Sequence, residues 1–351
     1  MPAPLADLSA APTVRGASRP RIAPGKSGSI GGECEVARTL HGRLARTINI
    51  GLALGAPTEQ GWTMDLTERQ LEACATAGFS AVRIAVSCAA HVRKTGSTFS
   101  FDPAALETIA RGVERATGLG LAVVVANTHD PDLMADPPAH RERVLSCTQR
   151  LASALAHYGP SVALEPLAEP QQRLDATWNA LVGELLRSAR DVDGRRTLIV
   201  GPAAYNNARF LPMLELPEDE RNLIVTIHQY WPIRFTMQGE TWLGQTPFGD
   251  PADWLGTRWS GATDERHELT VGFDGVEDWA RASNRPVFVG EFGTSANADM
   301  PSRVRWTSVN RELAEQRGFS WGCWSFGPSF AVYDLLHDRW HDDLLQALIP
   351  R

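Results

Sequence analysis

The chain has 351 residues, of which 43% are hydrophobic and 21% are charged, so it can bury a large core and is not disordered as a whole. Its net charge is -7, whereas a protein whose main partner is nucleic acid usually has an excess of basic residues. No apolar run approaches the roughly 20 residues that a membrane-spanning helix needs, so we expect no membrane partner.

The first 45 residues differ from the rest in composition. They are rich in Pro, Gly, Ser, Ala and Arg, and they cannot bury enough apolar surface to offset the entropy of ordering. We predict that residues 1–45 are a disordered leader. This leader lacks the continuous apolar segment of a secretory signal, and the five cysteines are scattered without a Cys-x-x-Cys pair. Both features favour a cytoplasmic protein, with secretion left open if the true start codon lies elsewhere.

Residues 46–351 show short apolar runs that alternate with amphipathic stretches, which predicts one domain. Several of the runs are nearly continuous in apolar residues, as expected of strands that are buried on both faces. The predicted strands are Thr47–Leu54, Ala81–Val86, Leu121–Asn127, Val162–Ala168, Thr197–Gly201, Leu223–Tyr230, Pro286–Glu291 and Ser320–Phe326.

Helix start and stop signals lie between these strands. Asp102 and Pro103 are typical of a helix start, and Gly118 is typical of its end. Thr67 and Gln70 have the spacing of a capping box. Regular alternation of strand and helix predicts an α/β protein with a (β/α)8 TIM barrel. An open doubly wound sheet is the alternative, but no Gly-x-Gly-x-x-Gly follows the first strand.

Polar residues at the carboxyl ends of the strands are the candidate site residues, because active sites of such barrels lie there. Each has a structural interpretation too: an arginine inside a strand can form an ion pair, here with Glu165, and a lone histidine or tryptophan is more often part of the core. Six of the eight strand ends carry such groups, which favours the functional interpretation. The candidates are Arg83, His129, Glu169, His228, Tyr230, Glu291 and Trp324.

Two glutamates on opposite sides of one barrel suit the cleavage of glycosidic bonds. One carboxylate must be ionised to attack the anomeric carbon, and the other must be protonated to donate to the leaving oxygen. A cationic neighbour such as Arg83 lowers the pKa of its carboxylate, whereas burial and a nearby negative charge raise the other. The residues alone therefore point to Glu169 and Glu291 as a catalytic pair.

The chain resembles the family 5 glycoside hydrolases, the cellulase family. The similarity runs from about Ile48 to Ile349 and rests on motifs that follow one another in order at the strand ends. They are INIGLALGAP, LEACATAGFSAVRIAV, VVVANTHD, VALEPLAEP, IVTIHQYWPIRFTMQGETW, VFVGEFG, and WGCWSF followed by FAVYD.

This resemblance implies a role for each candidate residue. It implies a retaining enzyme without a metal or an organic cofactor, and carboxyl groups about 5–5.5 Å apart. Glu291 corresponds to the nucleophile, Glu169 to the acid/base and Arg83 to the arginine that holds the nucleophile. The resemblance further assigns the sugar subsite to His129 and His228, the hydrogen bond to the nucleophile to Tyr230, and the indole platform under the sugar to Trp324.

Part of the sugar-binding motif departs from the family pattern. The Asn of the family's Asn-Glu-Pro is Ala168 here, and alanine cannot bond the 2-hydroxyl of the sugar. Gln171 stands where a histidine is common, and Leu52-Ala53 where many relatives have an asparagine. The long segment at 231–269 contains several aromatic residues that could stack on a sugar or an aglycone, or could pack on one another.

Three functions are consistent with these observations. The first is a monomeric, endoglucanase-like β-glycosidase that acts on a carbohydrate. The second is an intracellular enzyme of specialised metabolism that uses the same glutamates on a glycosylated or polyhydroxylated small molecule, which the loss of the asparagine favours. The third is a non-catalytic carbohydrate-binding barrel, against which the retention of both glutamates and Arg83 argues.

Overall fold

The computed structural model describes residues 30–54, 67–96, 98–128 and 130–350. Eight parallel strands close into a barrel, and each strand pairs with its neighbours in chain order, so the predicted (β/α)8 barrel is confirmed. The barrel strands are β1 Thr47–Leu54, β2 Ala81–Val86, β3 Ala122–Asn127, β4 Val162–Glu165, β5 Thr197–Val200, β6 Leu223–Gln229, β7 Val287–Phe292 and β8 Ser320–Cys323.

The strands form because their side chains are apolar on both faces, one facing the barrel interior and the other the surrounding helices. Every residue of β2, β3 and β7 is buried, as expected of a parallel sheet that is covered on both sides. β4 ends at Glu165, earlier than predicted, because Pro166 has no N–H to donate to a neighbouring strand. This early end places the next residues in a loop above the barrel.

Helices follow the strands and cover the outside of the barrel. Thr67 and Gln70 form the predicted capping box at the start of the helix Glu68–Ala77, and Asp102 caps the helix Pro103–Gly118 through its carboxylate. In the described residues the α-helices of at least five residues are α1 Ile30–Arg43, α2 Glu68–Ala77, α3 Pro103–Gly118, α4 Pro131–Ala135, α5 Pro137–Leu155, α6 Trp178–Arg190, α7 Thr263–Ser283, α8 Met300–Gln316 and α9 Asp342–Leu348. None of the helices in the described ranges is long and apolar enough to cross a membrane.

Two short hairpins and several single helical turns complete the described structure. The hairpins pair Val92–Thr95 with Thr98–Phe101 and Tyr333–Asp334 with Arg339–Trp340. The turns are Cys88–His91, Gln172–Thr177, Ala203–Asn206, Ala208–Met213, Ile233–Thr236, Thr241–Leu243 and Pro251–Trp254. Most of these additions lie in loops that follow strands, where the site residues are found.

The last part of the predicted leader is folded. Helix α1 ends just before β1 and lies across the amino-terminal ends of the strands, where Nε2 of His41 is 2.7 Å from Val287 O and 3.1 Å from Ser320 N. Ala37, Leu40 and Leu44 form one buried cluster with small and branched side chains of the barrel interior. The predicted boundary at residue 45 is therefore too late, and residues 1–29 lie outside the described structure.

The packing of α1 gives a prediction for stability. Leu40 is 1% exposed, so Leu40→Ala should lower the free energy of unfolding by about 2–5 kcal/mol through lost burial and a cavity. Val36 in the same helix is 36% exposed, so Val36→Ala should change it by less than about 1 kcal/mol. Urea unfolding followed by tryptophan fluorescence measures both values, and equal effects would contradict a structural role for α1.

Candidate active site

A cleft of about 1050 Å³ opens at the carboxyl ends of the strands. Its walls come from the loops after the strands, as the fold leads one to expect. Five of the predicted site residues line it together: Glu169, His228, Tyr230, Glu291 and Trp324. Arg83 lies beneath the cleft, and His129 is outside the described residues. The structure therefore brings together six of the seven candidates.

Arg83 is a fully buried cation at the base of the cleft. Its Nε donates to Glu165 Oε2 at 2.7 Å, and Nη1 donates to Glu291 Oε1 at 2.7 Å and to Asn49 Oδ1 at 2.8 Å. The two interpretations of Arg83, ion pair with Glu165 and contact with Glu291, thus hold at once. Burial lowers the pKa of the guanidinium, but the negative charges of Glu165 and Glu291 outweigh burial and keep this pKa above its usual value.

A bulge in β7 directs Glu291 into the cleft. Ile227 of β6 pairs with Val289, but the next residue, His228, pairs with Glu291, so Gly290 is the additional residue. A β-carbon at Gly290 would overlap a side chain of β6, which explains the glycine. The extra residue changes the direction of the side chains that follow it, and Glu291 faces the cleft instead of the helices.

The environment of Glu291 favours the ionised form. Tyr230 donates its hydroxyl to Glu291 Oε2 at 2.8 Å, and His228 Nδ1 lies 3.6 Å from the same oxygen. Burial raises the pKa of this carboxyl, but His228, Arg83 and the hydroxyl of Tyr230 together lower it below its usual range. Glu291 therefore stays negatively charged in a site where water has little access.

The environment of Glu169 has the opposite effect. Its side chain is 34% exposed, and Oε1 lies 2.7 Å from His228 Nδ1. Burial and the charge of Glu291 raise its pKa, against the lowering effect of His228. An oxygen of Glu169, an oxygen of Glu291 and a nitrogen of His228 all lie within 4.8 Å of one another. Two close carboxyl groups thus differ in proton affinity, which suits one base and one acid.

The backbone at Glu169 is also unusual. Its φ of +53° lies in the left-handed region, which non-glycine residues seldom adopt. Ala168 before it donates its N–H to Asn127 O at 2.8 Å, and Asn127 also binds Pro166 O through its side chain. β3 therefore holds the loop that carries Glu169. Such strained conformations concentrate at functional sites.

The wall of the cleft around the glutamates is mainly apolar. The indole of Trp324 lies against Gly51, where a β-carbon would come within 3.5 Å of the ring. Ala168 is 2% exposed, lines the cleft and offers only a methyl group. Gln171, which stands where the family often has a histidine, also lines it. Leu52 and Ala53, the other departure, have side chains outside the described part.

The aromatic residues of the segment 231–269 divide into two groups. Phe235 and Trp259 are 1% exposed and pack within the protein, as the structural alternative predicted, whereas Trp254 is 5% exposed and lines the cleft. Trp242 is 44% exposed on the rim of the cleft, and its indole N–H donates to Glu240 at 2.6 Å. Trp231 lines the cleft. Only part of this segment is therefore free to contact a ligand.

Two asparagines that sequence reasoning gave no role complete the network. Asn49 lies within apolar β1, accepts from Arg83, and donates to Gly290 O at 2.9 Å. A buried amide in an apolar strand was its signal in the sequence. Asn206 follows β5, is fully buried, and contacts the ring of His228. It stands in a run of polar residues after that strand, where the sequence did not distinguish it from its neighbours.

One cluster in the described ranges has a spacing that could hold a metal ion, and it consists of Glu169, His228 and Glu291. The guanidinium of Arg83 already lies 2.7 Å from Glu291 and supplies a positive charge there. A bound cation would meet repulsion from this guanidinium. The donor set therefore fits a hydrogen-bonded network better than a metal centre.

The chain belongs to the cellulase family, glycosyl hydrolase family 5, whose model matches residues 49–330. Endoglucanase H of Acetivibrio thermocellus is 27% identical over 307 residues, which cover 86% of this chain and 32% of that protein. Cellulase/esterase CelE of the same organism is 24% identical over 330 residues, which cover 86% of this chain and 39% of that protein. The chain thus spans about a third of the length of these curated relatives.

Solved structures show the same similarity. The endoglucanase Cel5A from Thermotoga maritima superposes with a TM-score of 0.84 at 35% identity, covering 89% of this chain and 99% of that chain. Cellulose synthase subunit Z from Clostridioides difficile superposes with a TM-score of 0.80 at 31% identity, covering 87% and 99%. Both comparisons agree with the closed barrel and with its family.

The hydroxyl of Tyr230 gives a prediction for the titration of Glu291. Tyr230→Phe removes a donor to the carboxylate, a kind of bond that contributes about 1.5–3 kcal/mol, so the pKa of Glu291 should rise. The carboxyl group then protonates at a higher pH than in the native protein. Carbon-13 NMR of labelled glutamate side chains measures this, with Glu291→Gln to assign the signal. Tyr158→Phe, in the turn that follows α5, should leave it unchanged.

Proposed function

We propose that the protein is a retaining, endoglucanase-like glycoside hydrolase that cleaves a β-glucosidic or related β-glycosidic bond by double displacement. The observation that carries this proposal is the pair Glu169 and Glu291, whose oxygens approach within 4.8 Å and whose pKa values shift in opposite directions. A retaining enzyme needs carboxyl groups about 5–5.5 Å apart, whereas inversion needs about 6.5–9.5 Å. The short separation supports retention.

In the first step Glu291 is the nucleophile. Its carboxylate oxygen bonds to the anomeric carbon while the bond from that carbon to the leaving oxygen breaks. Glu169 gives its proton to the leaving oxygen and becomes a carboxylate. The raised pKa of Glu169 favours the protonated form that this step needs, and the lowered pKa of Glu291 favours the ionised form of the attacking group.

In the second step the covalent glycosyl-enzyme is hydrolysed. Once Glu291 is bound to the sugar, its negative charge no longer raises the pKa of Glu169, so the carboxylate of Glu169 serves as a base. It takes a proton from water, the water oxygen bonds to the anomeric carbon, and Glu291 leaves as a carboxylate. The sugar retains its anomeric configuration, and both glutamates return to their starting states.

The neighbouring residues serve these two glutamates. Arg83 and Tyr230 hold Glu291 through two hydrogen bonds, one to each carboxylate oxygen, and stabilise its charge. His228 orients Glu169. We assign Trp324 as the apolar platform under the sugar, since its indole lines the cleft beside the glutamates. His129 keeps the sugar-binding role that the resemblance implies.

The endoglucanase-like assignment is supported by the names of the similar proteins and by the shape of the cleft. An opening of about 1050 Å³ lined by several aromatic side chains is larger than one sugar requires. The catalytic unit comprises residues 46–351 together with the helix that precedes β1. We propose that its substrate is a carbohydrate.

Ala168 favours a second candidate, an enzyme that acts on a glycosylated or polyhydroxylated small molecule. The methyl group at the cleft wall provides no donor for the sugar next to Glu169. Parallel assays on soluble β-glucan and on aryl β-glucosides distinguish the two candidates. Turnover of the glucan supports the endoglucanase, and turnover restricted to the small glycosides supports the alternative.

The catalytic pair gives a test of the mechanism. Glu291→Gln should lower kcat on an activated aryl β-glucoside by roughly three orders of magnitude or more, because the attacking oxygen is lost. Glu169→Ala should retain the first step on a substrate with a good leaving group and should be rescued by azide. Glu107→Gln, an exposed control, should be unaffected.

Trapping gives the direct measurement for the same proposal. A 2-fluoro glycoside with a good leaving group should increase the intact mass by one glycosyl unit in the native protein. The Glu291→Gln variant should show no such increase. An enzyme that hydrolyses the aryl glucoside with Glu291 replaced, or a native protein that forms no adduct and no product, would disprove the assignment.

The missing amide gives a separate prediction. Ala168→Asn should raise kcat/KM on a β-glucoside by about tenfold or more, because the new donor reaches the 2-hydroxyl where alanine makes no bond. Melting temperatures of the two proteins control for altered stability. A substrate that does not use this hydroxyl would be turned over no faster, and that result would favour the small-molecule enzyme.

A further inference from the structure

Asn206 lies beneath the cleft and contacts the ring that orients Glu169. It is fully buried, and its Nδ2 is 3.3 Å from His228 Nε2. The other ring nitrogen, Nδ1, is 2.7 Å from Glu169 Oε1. The imidazole of His228 is therefore held at both nitrogens, and its two partners determine which nitrogen carries the proton.

The turn that carries Asn206 is strained. Ala204, Tyr205 and Asn206 have φ values of +54°, +64° and +55°, so three successive non-glycine residues occupy the left-handed region. Ala204 N–H donates to Asp175 Oδ1 at 2.8 Å, and Tyr205 N–H donates to Pro170 O at 3.0 Å. Both anchors belong to the loop after β4, which also carries Glu169. Strain of this kind persists only where the surroundings enforce it.

Two glycines make room for the pair of side chains. A β-carbon at Gly201 would overlap the amide oxygen of Asn206, and one at Gly290 would come within 3.3 Å of His228 Nε2. Among the described residues, the amide oxygen Oδ1 of Asn206 has no hydrogen-bond partner. The local structure thus holds the amide against the ring, and the amide nitrogen is the group that faces Nε2.

This contact decides the tautomer of the ring. An amide N–H meets Nε2 favourably only if that nitrogen holds a lone pair, so the ring proton belongs on Nδ1. Nδ1–H then donates to Glu169 Oε1 and leaves Oε2 to carry the acid proton. The carboxylates of Glu169 and Glu291 outweigh burial and Arg83 and raise the pKa of His228 above its usual value, whereas the donor at Nε2 opposes a second proton. Tyr230, the other polar neighbour, bonds Glu291 instead.

We propose that Asn206 is a positioning residue that holds His228 in its neutral, Nδ1-protonated form, so that the acid proton stays on Glu169. With an acceptor at Nε2 the ring would take up a proton at that nitrogen. The resulting imidazolium would lower the pKa of Glu169 and favour its ionised form. The consequence for catalysis rests on the proposed function, whereas the tautomer itself does not.

Nitrogen-15 NMR of the protein labelled at histidine measures the tautomer directly. The signal of His228, assigned by its loss in His228→Gln, should show a protonated Nδ1 and an unprotonated Nε2 at neutral pH. A native protein in which Nε2 carries the proton, or in which both nitrogens do, would overturn the proposal. This result needs no substrate, so it stands apart from any failure of the glycosidase assignment.

Asn206→Asp supplies an acceptor in place of the donor. Both ring nitrogens should then be protonated, kcat/KM on an aryl β-glucoside should fall at least about tenfold, and the basic limb of its pH profile should move to lower pH. A residue with only a structural role would lower activity without moving that limb or the nitrogen signals. Asn284→Asp, at the opposite end of the barrel, makes the same chemical change and should alter neither.

Discussion

The charge of Arg83 is the constraint on which the site depends. A guanidinium with no exposed surface bonds Glu165 on one side and Glu291 on the other. Removing one member of such a buried set leaves an uncompensated charge and is costly. Because Arg83 and its neighbours keep Glu291 ionised, the negative charge of Glu291 is present to raise the pKa of Glu169. The different proton affinities of the two glutamates thus depend on burial, on His228 and on the cation below them.

Glu169 and Glu291 also differ in the backbone that carries them. Glu291 belongs to β7, where the bulge at Gly290 aims a residue of a rigid strand into the cleft. Glu169 lies outside β4, on a loop in a left-handed conformation, with a third of its side chain exposed. In the proposed mechanism the nucleophile must hold its distance to one carbon, and a strand provides this. The proposed acid, which later activates water, must reach both the leaving group and solvent, which a loop at the rim allows.

Sequence periodicity was sufficient to predict the barrel and most of the site. Apolar strands and capping residues are local signals, and the common edge of the strands brings Glu169, His228 and Glu291 together. Helix α1 was missed because Gly31-Gly32 and its short apolar set resemble a leader, and its stability comes from burying Leu40 in the barrel. Asn206 was given no role, since three successive left-handed residues contradict local propensity and exist only through distant anchors.

Some features of this site are required for stability, whereas others reduce it. The ion pair of Arg83 with Glu165 would persist in a barrel without activity, because burial alone demands that the cation be neutralised. The same argument does not extend to Glu169, whose strained backbone and raised pKa both cost stability. A protein that only bound carbohydrate would gain nothing from a carboxyl group held close to a second one. The features that weaken the fold, more than those that strengthen it, therefore favour an enzyme over a binding protein.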